Sequence, residues 1–212
     1  MKPTLIVMAK TPTRGLAKRR LALDVGEGEA LRFYRSALAV TLARLGRDPR
    51  WRVVIAVTPD SAVNAPVWRR LASPYQARLK PQGRDAMGVR MQTLLEAEQG
   101  ETLLIGSDIP SVLPCDIALA FKRLAGADAV FGPAADGGFW LAGLKHPQQV
   151  RPFENVRWSS RYTLSDVLEN LRGRRTVFTT ELQDVDTGAS YRQSRSWAAR
   201  RIAPRHLSLG SG

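Results

Sequence analysis

Short apolar runs alternate with helical segments along almost the whole chain, and this alternation most constrains the fold. Each run is too short to be a complete helix, and several are β-branched, which is typical of buried strands. A strand–helix alternation of this kind predicts a mostly parallel sheet with helices on both faces. The predicted strands are Pro3–Met8, Trp51–Thr58, Ala77–Lys80, Thr102–Ile105, Asp128–Phe131, Gly138–Leu144 and Thr176–Thr179. The predicted helices are Glu27–Leu45, Ala65–Ala72, Ala86–Gln99, Pro114–Leu124, Thr163–Leu171 and Ala189–Arg201.

Length and composition set the broad class of the protein. The chain has 212 residues, of which 44% are hydrophobic, and this suits one globular domain with a substantial core. We predict one domain over residues 1–206 and a frayed tail over residues 207–212. No apolar run is long enough to cross a membrane or to form a secretory signal, so we expect a cytoplasmic protein. The single cysteine, Cys115, excludes an internal disulfide and is expected to be buried.

Positive charge is concentrated at both ends of the sequence. The formal net charge is +13, with no acidic residue before Asp24 and none after Asp186. Such a charge distribution attracts polyanions. Nucleotide phosphates, nucleic acid and an anionic membrane surface are all compatible with it, and composition alone does not choose among them.

The loop after the first predicted strand combines several cations with a glycine. It carries Lys10, Arg14, Lys18 and Arg20, and Gly15 would let the backbone approach a ligand closely. Cations that converge in this way can neutralise a triphosphate and stabilise a departing pyrophosphate. The alternative is a merely exposed basic loop. The sequence contains neither a Walker phosphate loop nor a dinucleotide fingerprint.

Aspartates follow two of the predicted strands. Asp108 lies just beyond Thr102–Ile105, and Asp184 and Asp186 follow Thr176–Thr179 on one side of an extended segment. Ligands of parallel sheets bind where loops leave the carboxyl ends of strands, and magnesium prefers a few carboxylates together with phosphate oxygens. Asp108 is therefore a candidate metal ligand, and Asp186 is a second one. An Asx turn for Asp108 and a helix cap for Asp186 are the structural alternatives.

Three further loops could face the same crevice. The turn Gly132–Gly138 could present backbone N–H groups to an anion, although a plain turn between strands has the same spacing. Gln82 with Gly83, and Trp158 with Ser159, also lie in predicted loops. The two histidines, His146 and His206, are far apart and argue against both a structural zinc site and a catalytic triad.

Taken in order, these fragments resemble one family. The motifs are A-K-x-P-x-x-G-x-x-K-x-R-L from Ala9, Q-G-x-D-x-x-G from Gln82, G-S-D-I-P from Gly106, G-P-A-x-D-G-G-F-W-L from Gly132, W-S at Trp158 and D-V-D-T from Asp184. They look like the DUF2064 family, a relative of phospholactate guanylyltransferases and of molybdenum-cofactor guanylyltransferase-like proteins in the nucleotide-diphospho-sugar transferase superfamily. The resemblance runs from about Leu5 to Tyr191. It implies a GT-A-like three-layer α/β/α sandwich with a mostly parallel mixed sheet.

The resemblance also implies roles for individual residues. Phosphates of the nucleotide would be held by Lys18 and Arg20 with help from Lys10, Arg14 and Gly15, and Gln82 with Gly83 would lie near the base. Asp108 would be the metal aspartate, Asp186 the second carboxylate for Mg²⁺ or Mn²⁺, and Asp136, Gly137 and Gly138 would shape the acceptor pocket. In this sequence Arg19 stands where the family usually has threonine.

Three functional hypotheses follow. The first is a metal-dependent nucleotidyltransferase that moves a nucleoside monophosphate from a triphosphate to a small phosphorylated acceptor, with Lys18, Arg20 and Asp108 as its catalytic residues. The second is a glycosyltransferase that uses a nucleotide sugar, since the same fold and metal site serve both reactions. The third is a nucleic-acid-binding or scaffold protein with a degenerate site, which the net charge and the arginine-rich terminal segment favour.

Overall fold

The computed structural model describes residues 2–194, and these form one seven-stranded sheet with helices around it. The strands are β1 (Thr4–Lys10), β2 (Arg52–Thr58), β3 (Arg78–Pro81), β4 (Thr102–Gly106), β5 (Ala129–Pro133), β6 (Phe139–Leu144) and β7 (Thr176–Phe178). The α-helices are α1 (Arg19–Val25), α2 (Glu27–Leu45), α3 (Pro66–Ala72), α4 (Met87–Glu96), α5 (Pro114–Ala125) and α6 (Thr163–Asn170). Residues 188–194 are also helical.

The sheet is mixed but mostly parallel. Its strand order is β3-β2-β1-β4-β6-β5-β7, and within the described chain β6 alone runs antiparallel to its neighbours. In the central pairs Ile6 lies opposite Val54 on one side and Leu104 on the other. The predicted α/β class with a mostly parallel mixed sheet is confirmed.

Alternate side chains of the central strands supply two separate cores. Leu5, Val7 and Ile55 face a layer formed by α2, α3 and α5, whereas Ile6 and Leu104 face α4 and α6. Because successive side chains of a strand point to opposite faces, a continuous apolar run can bury both faces. The result is the three-layer α/β/α sandwich that the sequence predicted.

Several local predictions need correction. Helix α1 was not predicted, because Pro12 and Gly15 marked the region before it as loop; the helix forms where Leu21 becomes fully buried. Gly46 does not end α2 in a left-handed conformation, since its φ is −74°. Instead, a Cβ at Gly46 would lie 2.6 Å from the Tyr75 ring, so glycine is required by packing. Cys115 is exposed rather than buried.

The end of the chain was assigned a basic helix and a tail. The part of the predicted helix beyond Ser194, with Arg195, Arg200 and Arg201, lies outside the described residues, as does the predicted tail 207–212. The assignment of residues 1–206 to one domain stays a prediction. None of the helices within residues 2–194 has the length and apolar character that a bilayer span requires.

Candidate active site

Three loops meet at one edge of the sheet, where the parallel strands β1 and β4 end. The loop after β1 brings Lys18, the loop after β4 brings Asp108, and the segment after β7 brings Asp184 and Asp186. The Val185 amide donates a hydrogen bond to the Asp108 carbonyl oxygen (3.3 Å), which joins the second and third loops directly. The crevice of an open parallel sheet thus carries a cluster of charged side chains.

The cluster contains three carboxylates. Asp108, Asp184 and Asp186 each place one oxygen so that all three oxygens lie within 4.8 Å of one another, and all three residues are half-buried. Burial, together with the like charges of Asp108 and Asp186, raises the pKa of Asp184 to about 6. Hard oxygen donors that converge so closely, at a cost in mutual repulsion, fit a divalent ion such as Mg²⁺ or Mn²⁺.

Lys18 is the cation that the structure places against these carboxylates. Its Nζ donates hydrogen bonds to Asp108 Oδ2 (2.6 Å) and Asp186 Oδ1 (2.8 Å), and only 3% of its side chain is exposed. Burial opposes the charged form, but the charges of Asp108 and Asp186 outweigh it, so the pKa of Lys18 is raised. Conversely, burial favours the neutral form of Asp186, yet the Lys18 charge wins and lowers the pKa of Asp186.

A buried tyrosine supports two of the three loops. The Tyr34 hydroxyl on α2 accepts a hydrogen bond from the Lys10 amide (2.9 Å) and lies 2.8 Å from the Lys10 carbonyl oxygen and 3.0 Å from Ser107 Oγ. Burial raises the pKa of Tyr34 to about 12, so the hydroxyl remains a neutral hydrogen-bonding group. Tyr34 therefore fixes the end of β1 relative to the residue that precedes Asp108.

The third loop is held by the helical residues that follow it. Ser190 Oγ accepts hydrogen bonds from the amides of Asp186 and Thr187, both at 3.1 Å. The Gly188 amide donates to Asp24 Oδ2 (2.6 Å), which ties this segment to α1. Thr187 Oγ1 in turn accepts a hydrogen bond from the Ser190 amide (3.3 Å), so Thr187 and Ser190 cap this helix reciprocally. Asp186 is therefore not the cap, and its carboxylate contacts Lys18 instead.

The other cations of the first loop are distributed around the cluster. Arg20 and Lys10 lower the pKa of Asp186 through their charges, after the larger effect of Lys18. Arg14 and Gly15 line a cavity of about 330 Å³ together with Arg19 and residues of α1 and α2. The structure thus gathers Lys18, Arg20 and Lys10 around the aspartates and places Arg14 and Gly15 at the neighbouring cavity.

Gln82 is fully engaged in holding strands. Its Nε2 donates to the carbonyl oxygens of Ala9 (3.2 Å) and Ala56 (2.8 Å), and its Oε1 accepts from Arg90 (3.0 Å). The Gly83 amide donates to Asp60 Oδ1 (3.1 Å). Gln82 therefore links the carboxyl ends of β1 and β2 through its side chain and has no amide hydrogen left to offer a base.

The turn between β5 and β6 lies beside the cluster. Asp136 is exposed, accepts a hydrogen bond from the Gly138 amide (2.9 Å), and its charge contributes to the raised pKa of Asp184. Gly137 has a φ of +84°, and a Cβ there would lie 2.3 Å from the Arg161 carbonyl oxygen. Behind this turn, the rings of Phe139, Phe153 and Trp158 pack in stacked, edge and tilted contacts. This packing places the predicted acceptor turn against the segment that follows Trp158.

Sequence reasoning missed two contributors to this arrangement. The spacing of Asp184 and Asp186 was noted, but Asp184 was not assigned to the metal; its position two residues from Asp186 was the available signal. Tyr34 carried only an apolar-face signal on α2, and nothing local indicated that its hydroxyl would reach Lys10 and Ser107.

Solved structures share this fold across nearly the whole chain. A Desulfovibrio desulfuricans protein, provisionally described as a nucleotide-diphospho-sugar transferase, has a TM-score of 0.76 at 24% identity, covering 94% of each chain. A nucleotidyl transferase from Methanothermobacter gives 0.65 at 14% identity, covering 94% of this chain and 99% of its own. A cytidylyltransferase from Leptospira borgpetersenii gives 0.64 at 12% identity, covering 96% and 89%.

These likenesses establish the GT-A-like fold. No curated protein matches the sequence significantly. A family model described as "Uncharacterized protein conserved in bacteria (DUF2064)" matches residues 41–160, more than half of the chain. Of the four clustered residues, this range includes Asp108, whereas Lys18, Asp184 and Asp186 lie outside it. The chain belongs to the DUF2064 family.

Proposed function

We propose that the protein is a metal-dependent nucleotidyltransferase that transfers a nucleoside monophosphate from a triphosphate to a small phosphorylated acceptor. The observation that carries the proposal is the convergence of three strand-end carboxylates next to a cationic loop. Carboxylates suit a divalent ion, and the cations suit the phosphates that such an ion accompanies. The family and the GT-A-like fold support a transferase without naming its reaction.

In this proposal Asp108, Asp184 and Asp186 would hold Mg²⁺ or Mn²⁺. When bound, the ion would supply charge neutralisation for the phosphate oxygens. An acceptor phosphate oxygen would form a bond to the α-phosphorus, and the bond from that phosphorus to the bridging oxygen would break to release pyrophosphate.

The chain itself would contribute positioning and charge. Arg20, Lys10 and Lys18 would offset negative charge on the departing pyrophosphate, with Arg14 near the same loop. The turn at Asp136, Gly137 and Gly138 would orient the acceptor beside the cluster. Gln82 and Gly83 would shape the base end of the site through the strand ends that they brace. Because positioning and electrostatics carry the reaction, no nucleophilic side chain is required.

A thermal-shift panel with GTP, ATP, CTP, UTP and nucleotide sugars, each with and without Mg²⁺ or Mn²⁺, tests the proposal. A ligand present at about a hundred times its Kd should stabilise the fold by roughly 2.7 kcal/mol. We expect a metal-dependent shift with one triphosphate, and we expect Asp108→Asn to abolish the metal-dependent part. Glu101→Gln, a carboxylate just before the opposite end of β4, is the matched control. Unchanged metal and nucleotide affinity in Asp108→Asn would refute the mechanism.

A glycosyltransferase that uses a nucleotide sugar is the second candidate. The observation that favours it is the similarity to the Desulfovibrio desulfuricans protein, which is provisionally described as a nucleotide-diphospho-sugar transferase. A thermal shift with a nucleoside diphosphate sugar and none with any triphosphate would select this candidate.

A further inference from the structure

We propose that Lys18 is an exchangeable counter-cation: its ammonium binds the aspartate oxygens that a divalent ion would use, and arrival of the ion releases it toward the nucleotide. The inference rests on the proposed metal site and adds a coupling between the ion and the nucleotide. It assigns Lys18 two partners that are used one after the other, the carboxylates first and the phosphates second.

The ammonium contacts two of the three carboxylates that an ion would need as ligands. Lys18 Nζ lies 2.6 Å from Asp108 Oδ2 and 2.8 Å from Asp186 Oδ1, and 3% of its side chain is exposed. The two carboxylates are more open, with 30% and 42% of their side chains exposed. The lysine therefore reaches the carboxylates from within the protein, and their outer sides remain accessible to an ion from solvent.

Charge makes simultaneous occupancy unfavourable. Three carboxylates and one ammonium leave a local charge of about −2, which still attracts a divalent ion. An ion bound to the same oxygens would lie within a few ångströms of Nζ, and the two cations would repel each other strongly at this partly buried position.

Phosphates provide the second partner. Lys18 lies in the same loop as Arg14 and immediately before Arg19 and Arg20, so a released ammonium would join cations that already face solvent. A triphosphate that arrives with the ion would receive this extra cation. The ion and the triphosphate should then bind cooperatively, because each favours the released form of Lys18.

The proposal predicts the sign of a binding change. If Lys18 competes with the ion, Lys18→Met should bind Mn²⁺ more tightly than the wild type when no nucleotide is present. If Lys18 only holds the aspartates in place, the same substitution should weaken Mn²⁺ binding. In the variant, the cooperativity between Mn²⁺ and a triphosphate should also disappear.

The experiment measures Mn²⁺ affinity of the full chain by electron paramagnetic resonance and titration calorimetry. Arg20→Met is the matched control: it removes one positive charge from the same loop, and Arg20 acts on Asp186 through its charge. We expect a gain of about tenfold, equivalent to 1.4 kcal/mol, for Lys18→Met and a much smaller gain for Arg20→Met. Affinity in Lys18→Met that is equal to or below that of Arg20→Met would overturn the exchange.

A labelling experiment on the wild-type protein keeps the proposal testable if Lys18→Met does not fold. Reductive methylation followed by mass spectrometry should find Lys18 protected without Mn²⁺ and reactive with it, while the exposed Lys10 provides the internal reference. Protection of Lys18 at saturating Mn²⁺ would overturn the exchange and leave the metal site standing. Absence of Mn²⁺ binding in wild type and variant alike would overturn the metal site itself, and the exchange with it.

Discussion

At the scale of single residues, two aspartates only two positions apart have opposite environments. Asp186 receives a hydrogen bond from Lys18, whose charge lowers its pKa. Burial and the charges of Asp108 and Asp186 raise the pKa of Asp184 to about 6. A carboxylate whose pKa is raised by burial and by neighbouring negative charges is more typical of functional sites than of structural ones.

The raised pKa of Asp184 predicts how stability changes with pH. A folded-state pKa above the unfolded value means that the contribution of Asp184 is fully present below about pH 4 and is lost as the pH rises through about 6. Asp184→Asn should therefore raise the Tm by a few degrees at pH 8 and by much less near pH 4.5, in scans without added metal.

The same substitution should weaken Mn²⁺ binding about tenfold or more, because it removes one of three ligands. Glu101→Gln, scanned over the same pH range, controls for the loss of one negative charge. A lower Tm for Asp184→Asn than for wild type at pH 8 would show that the carboxylate stabilises the fold, contrary to this account.

At the scale of elements, the candidate acceptor turn takes its shape from a contact with another segment. Gly137 in the β5–β6 turn packs against the backbone of Arg161, and the Leu164 amide at the start of α6 donates to the Gly137 carbonyl oxygen (2.9 Å). The turn is thus held between the end of β5 and the start of α6, next to the carboxylate cluster.

Two glycine substitutions separate the cost of a positive φ from the cost of a steric contact. Gly137 and Gly173 have similar φ values of +84° and +81°, but a Cβ at Gly173 would meet nothing within 4 Å. Gly173→Ala should cost about 1 kcal/mol of unfolding free energy, the conformational penalty alone. Gly137→Ala should cost roughly 2–4 kcal/mol, because backbone atoms of Arg161 must also move. Urea denaturation measures the loss of unfolding free energy in each variant. Equal losses would mean that the backbone of Arg161 moves aside without a measurable cost.

At the scale of the whole molecule, an acidic cluster lies in a strongly basic protein. The net charge is +13, and the cations that act on the aspartates are Lys18, Arg20 and Lys10, with Arg14 at the neighbouring cavity. A basic surface draws in any polyanion, whereas carboxylates discriminate in favour of one that carries a divalent ion. The cluster therefore argues for a metal–nucleotide complex over bare nucleic acid.

Salt dependence distinguishes these two ligands. A single-stranded oligonucleotide that contacts several phosphates should lose affinity with a log–log slope of about −0.7 per contact. A triphosphate that binds with Mg²⁺ should give a shallower slope, because few phosphates are involved and the ion carries part of the charge. Calorimetric titrations at several salt concentrations measure both slopes. Tight binding of arbitrary oligonucleotides at about 0.15 M salt, without a nucleotide response, would select the nucleic-acid hypothesis.

Local patterns in the sequence predicted most of the helices and strands. They also predicted the edge of the sheet at which the charged residues of the site lie. The helix over Glu27–Leu45 has the predicted bounds because its apolar spacing is a local signal, whereas the contact of Gly46 with Tyr75 is not. Asp108 could be placed at a strand end because the apolar run before it marks β4. The short α1 escaped prediction because its burial depends on partners distant in sequence, among them Val185 and Tyr191.

Tertiary structure alone decided which charged groups meet. Lys18 is 90 positions from Asp108 and 168 from Asp186, so no local pattern could pair them. They meet because β1 and β4 are neighbours in the sheet and because the segment after β7 returns across the same edge. The preference of a residue for a helix, a strand or a loop is a local property and can be predicted from the sequence. The partner of that residue is set by strand order and loop packing, which depend on the burial of both faces of the sheet at once.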